Sequence, residues 1–85
     1  MKIRFSKHAL EEMKRREIPP HLVTKVIDHP DQMVKGHGKA KILQSQVTIG
    51  GNLRLLRVVV GTEEEPHIVV TVYKTSQIKK YWENR

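Results

Sequence analysis

Two stretches of this 85-residue chain carry the side chains able to do chemistry. In the first, the apolar run Ile68-Val69-Val70-Thr71-Val72-Tyr73 passes directly into Lys74, Thr75, Ser76, Gln77, Lys79, Lys80, Tyr81 and Trp82. A strand that ends in hydroxyls and ammonium groups holds hydrogen-bond donors on a rigid support, which suits a phosphate backbone. The two aromatics that follow can stack on bases. Strand side chains alternate, so Tyr73 and Thr75 share one face while Lys74 and Ser76 share the other. The plainer reading is that Tyr81 and Trp82 fold back as the lid of a small core. It is the weightier one for Trp82, but not for Lys74 and Thr75.

The second stretch opens the chain. His8 is followed by Glu12 four residues on, and by Arg15 and Arg16 a turn later. On a helix, spacings of four and eight place His8, Glu12 and Arg16 along one side. An imidazole oriented by a carboxylate, with a guanidinium nearby, can move a proton at a phosphate. On the residues alone, a solvated helix face with one ion pair is the stronger reading. Arg54 and Arg57 interrupt an apolar strand, and alternation keeps them from sharing a face. One of them can project from the sheet face opposite the helices and offer bidentate contacts to phosphate. The alternative is a rim charge or a cross-strand pair with an acid.

The bulk properties narrow the partners. Sixteen Lys and Arg oppose nine Asp and Glu, for a net charge of +7. Three of the acids are consecutive, Glu63 to Glu65, so the rest of the surface is more basic still. Such a field attracts polyanions. Nucleic acid comes first, an acidic protein second and an anionic membrane a distant third. The absence of cysteine excludes disulfides and thiolate metal sites and is compatible with the cytoplasm. His21, His29, His37 and His67 fall in no metal-binding spacing, so neither a metal nor a cofactor is expected. Met1 to Phe5 is too short and charged for a signal peptide, and no apolar run is long enough to cross a bilayer.

The elements that must position these residues follow from periodicity. Ser6 is a helix N-cap, and Ala9, Leu10 and Met13 are the apolar stripe of a helix over about 7–17. Ile18-Pro19-Pro20 breaks it, and the prolines open a second helix with Leu22, Val23, Val26 and Ile27 buried, ending at His29-Pro30. The period then changes to two. Strands are predicted over 32–37, 39–49, 53–60 and 67–75, with a hairpin turn at Gly50-Gly51-Asn52 and a polar loop over 61–66. The last two strands are nearly all apolar, which marks central positions. The expectation is one α+β domain over 1–85, with two N-terminal helices packed on a four-stranded antiparallel sheet.

Phe5, Ser6, His8, Ala9, Met13, Arg15, Arg16, Ile18 and Pro19, with Arg54 to Val60 and then Ile68 to Ser76, Tyr81 and Trp82, resemble a small prokaryotic domain of unknown function. That domain is similar to the RelE and BrnT toxin ribonucleases. The resemblance implies a helix-and-sheet layout and metal-independent RNA cleavage, in which the ribose 2′-hydroxyl attacks the adjacent phosphate. It implies His8, Arg16, Lys74 and Thr75 as catalytic candidates. Here Glu12 stands where relatives are often basic, and Glu17 where glycine is common before Ile18.

The leading expectation is therefore a toxin-like endoribonuclease covered by an acidic antitoxin. His8 would be acid or base, and Arg16 and Lys74 would stabilise the charged phosphate. Arg15, Arg57, Tyr73, Ser76, Lys79, Lys80, Tyr81 and Trp82 would bind RNA. A non-catalytic RNA-binding module on the same face, or a small protein-interaction domain, are the alternatives.

Overall fold

The structure, a computed structural model, describes residues 2–84. Its elements in chain order are β1 (Ile3–Phe5), α1 (Lys7–Arg15), α2 (Pro20–Asp28), β2 (Gln32–Lys35), β3 (Lys41–Ile49), β4 (Asn52–Gly61), β5 (His67–Thr75) and α3 (Ile78–Tyr81). The fold is α+β, as expected, but the sheet is five-stranded and mixed, in the order β1-β5-β4-β3-β2. The antiparallel meander β2 to β5 is present as expected, with β4 at the centre. β1 adds a fifth strand parallel to β5, with Phe5 opposite Val69. Three residues are too few to show a period, and its partner lies more than 60 positions away, so local pattern cannot reveal it. α3 makes a third helix, four residues long, within the polar stretch that follows the last strand. The second and third strands are also shorter than predicted, because residues 36–40 form the turn between them.

One face of the sheet carries the core. Leu43, Leu56, Val58, Val60, Val69 and Val72 point to it and are covered by Ala9 and Met13 of α1 and Val23 and Val26 of α2. α1 lies over β5, and α2 lies over β3 and β4. Ser6 sets where α1 begins. Its Oγ accepts from the Ala9 amide at 3.0 Å and donates to the Val70 carbonyl at 3.1 Å, while its own amide donates to Val69 at 3.1 Å. Val70 lies where the register shifts: Val59 pairs with Thr71 but Val60 pairs with Val69. The bulge leaves a carbonyl for a side chain to satisfy, and Ser6 takes it while capping the helix.

α1 stops at Arg15, two residues before the predicted end. Glu17 has φ 54°, the left-handed conformation, with its amide on the Lys14 carbonyl at 3.2 Å and the Ile18 amide on the Met13 carbonyl at 2.8 Å. This is a Schellman termination, and its accompanying apolar contact is between buried Ile18 and Met13. The position favours glycine, and a side chain there costs on the order of 1 kcal/mol. Glu17→Gly should therefore stabilise the domain by about 1 kcal/mol. A higher urea midpoint at unchanged m-value would show it.

Candidate nucleic-acid interface

The sheet face turned away from α1 and α2 is polar at its centre, and pairing register explains why. Gln32 lies opposite Gln44, Gln44 opposite Arg57, and Arg57 opposite Tyr73. The four side chains form one row across β2, β3, β4 and β5. Each bonds to the next: Arg57 Nε donates to Gln44 Oε1 at 2.9 Å, Gln44 Nε2 donates to Gln32 Oε1 at 2.8 Å, and Arg57 Nη1 donates to the Tyr73 hydroxyl. Gln32, Gln44 and Arg57 are buried.

The chain leaving β5 turns back over this row. The Thr75 hydroxyl accepts from the Gln77 amide at 3.0 Å, which forms the turn into α3. Gln44 Nε2 also donates to the Tyr81 carbonyl at 3.2 Å. Gln32 grips Glu83 at both backbone groups, donating to its carbonyl at 2.6 Å and accepting from its amide at 3.1 Å. The Tyr81 ring thus sits with its centroid 4.3 Å from the Arg57 guanidinium carbon and meets Tyr73 edge-on at 6.5 Å. Arg57 is only 6% exposed, and among the described residues no carboxylate forms an ion pair with it. Its positive charge is solvated by one amide, one phenol and two ring faces. Arg57 thus projects from the face opposite the helices, buried rather than at a rim, and among the described residues it has no cross-strand acid.

The expected site residues divide between the two faces. Lys74 lies opposite Leu56, on the helix side. Arg54 lies opposite half-buried Val47, also on that side, and Nη1 donates to the Leu53 carbonyl. His8 is exposed in the first turn of α1 and forms no hydrogen bond with Glu12. Tyr73, Thr75 and the roof residue Tyr81 share the face of Arg57. Ser6 ties the start of α1 to β5 at Val69 and Val70, and the strand continues roughly 13–16 Å to Lys74 and Thr75. The start of the first helix and the exit of the last strand are therefore separate places on the molecule. Ser76, Lys79 and Lys80 are exposed, and the Lys80 ammonium lies 5.2 Å from the centre of the Tyr81 ring.

Arg15 and Arg16 already have a partner. Arg15 donates twice to the Glu12 carboxylate, both at 2.8 Å, and Arg16 Nε donates at 3.0 Å. These bonds, those from Arg15 first, hold the Glu12 carboxyl down at about 2. Glu12 thus neutralises part of the helix surface. The clamp is the ion pair that the plainer reading predicted, doubled. Gln32 and Gln44 are not among the site residues that the sequence suggests. Their one signal was an amide at an inward-facing strand position, visible only once register is known.

A family model described as a domain of unknown function (DUF4258) matches residues 5–74. The chain belongs to the DUF4258 family. No curated protein and no solved structure matches it. The DUF4258 match begins at Phe5, where β1 meets β5, and ends at Lys74, so the row through Tyr73 lies inside it. The roof from Thr75 to Asn84 lies beyond the match.

Two outcomes follow for the DUF4258 chain. A carboxyl held low in the folded state stabilises it above its ordinary value of 4.5, and that contribution fades as pH falls through about 2. Arg15→Gln should therefore move the Glu12 midpoint, followed by carboxyl carbon NMR, up toward the ordinary range. Gln44→Ala should cost roughly 2–3 kcal/mol in urea unfolding, because it leaves buried partners of both signs unpaired. It should also speed hydrogen exchange at the Glu83 amide, which Gln32 and Gln44 together hold.

Proposed function

We propose that this protein binds RNA through the sheet face centred on Arg57, as a module that tracks the phosphate backbone. The observation that carries this is a nearly buried guanidinium that, among the described residues, pairs with no carboxylate. A charge withdrawn from water without a counter-charge is costly, and folds retain such groups where a ligand supplies the missing charge. The Tyr73 hydroxyl accepts from Arg57, so its own hydrogen is free to donate to a phosphate oxygen at the rim. Lys79 and Lys80 stand exposed on the roof above, and the net charge of +7 steers polyanions in. An acidic protein would compete for the same face, as an antitoxin does for a toxin.

A second reading, metal-independent cleavage in the manner of the toxin ribonucleases that the sequence resembles, draws on the Arg57–Tyr73 pair. The 2′-oxygen would attack phosphorus as the bond to the 5′-oxygen breaks. Arg57 would stabilise the added negative charge, and Tyr73 would protonate the departing oxygen. The 2′-hydroxyl proton would pass to water, because the row itself contains neither imidazole nor carboxylate. This is why binding ranks first. His8, the acid–base candidate of the sequence, sits on the helix side.

The test is fluorescence anisotropy of labelled single-stranded RNA across a salt series. Affinity should fall steeply with salt. Lys79→Ala with Lys80→Ala should flatten the log–log slope by about 1.4, at roughly 0.7 per phosphate contact on single strands. Arg57→Met should weaken binding at least tenfold. Salt-insensitive binding, or none at low salt, would sink the proposal. Incubation with excess chelator decides the second reading: cyclic-phosphate ends that disappear in Tyr73→Phe would establish cleavage.

A further inference from the structure

Next to the row, on the same face, a groove is lined by Gln46, Ile78, Lys79, Trp82 and Asn84. Gln46 is the next residue after Gln44 to point this way, so the groove begins roughly 7 Å from the row. We infer that this groove is a subsite for a single unpaired nucleobase of RNA, which stacks on Trp82 and is held at its edge by Gln46 and Asn84. The inference rests on the RNA reading above and adds to it the part of the nucleotide that Arg57 and Tyr73 do not address.

Three features point to a base rather than to another small apolar group. The groove is lined by one aromatic and one aliphatic side chain, Trp82 and Ile78, and a base stacks on an aromatic face. Its polar groups are uncommitted: among the described residues, no hydrogen bond uses the side-chain amide of Gln46 or Asn84, or the indole N–H of Trp82. An amide presents a donor and an acceptor side by side, which matches the paired donors and acceptors along a base edge. Lys79 stands at the groove to meet the attached phosphate.

The groove is also preorganised. Trp82 lies between two clamped residues, since Gln44 holds the Tyr81 carbonyl and Gln32 holds both backbone groups of Glu83. Its own amide donates to the Ile78 carbonyl at 2.8 Å. The backbone that carries the ring is therefore pinned to the sheet before any ligand arrives, which lowers the ordering cost of binding. The amide row that supports Arg57 and the amide grip that positions Trp82 are the same two glutamines, so phosphate and base contacts share one scaffold.

Trp82 is the single tryptophan of the chain, which makes the subsite directly observable. The experiment titrates the full-length protein with a hexaribonucleotide and with an abasic ribose-phosphate hexamer, reading intrinsic fluorescence and, separately, affinity. The base-bearing oligomer should quench Trp82 and bind about tenfold tighter than the abasic one. Gln46→Ala with Asn84→Ala keeps the reporter and should bring the two affinities together while leaving the abasic one unchanged. Trp82→Leu should have the same effect on affinity. Equal affinity for both oligomers with no quench would overturn the subsite and leave the RNA reading standing. Failure to bind either oligomer would overturn both.

Discussion

Arg57 is the residue around which this small sheet is organised. A guanidinium on the central strand of a sheet, covered on both sides, must be satisfied by neighbours at strand spacing, and the register supplies them. Gln44 on one side and Tyr73 on the other take its donors, and Gln32 extends the chain of amides to the edge strand. Because each donor polarises the next, the row works as a unit. It joins four strands laterally and fastens the C-terminal segment over them through Tyr81 and Glu83. A one-residue slip of any strand would send its member of the row to the apolar face, so the row also specifies register.

The two faces therefore hold the fold by different means. Under α1 and α2 the sheet is an ordinary apolar layer, with Leu56, Val58 and Val72 at its centre. Under α3 it is an amide-and-aromatic layer, whose directional bonds must all be met because the groups are buried. The helix layer is located by a single serine that caps α1 and satisfies the bulged carbonyl of β5. That connection places the start of α1 over the early half of β5, away from the strand exit. Charge follows the same division. The arginines of α1 are drawn onto Glu12, while Arg57 pairs with no acid among the described residues.

Much of this was legible along the chain. The two helices, their proline boundary, the meander and the Gly50-Gly51-Asn52 turn come from local pattern and turn chemistry, and they stand with ends shifted by a few residues. Glu17 shows why an end shifts: the helix terminates by a left-handed residue that the chain supplies without glycine. β1 stayed hidden because a three-residue strand owes its existence to a distant partner. The opening and closing motifs resemble a domain of unknown function, and the chain belongs to such a family, DUF4258.

Composition and order determined a basic α+β domain, with an arginine that had to leave the apolar face and a last strand that delivers a tyrosine beside a cationic, aromatic tail. These are properties of charge count and of residue period, and both survive without knowledge of the partner strands. Only the tertiary structure decided which groups meet. Pairing register set Gln32, Gln44, Arg57 and Tyr73 in line, and the bulge with its serine clamp directed α1 to the other face. Neighbours across a sheet are chosen by long-range hydrogen bonding, which no spacing within one segment encodes.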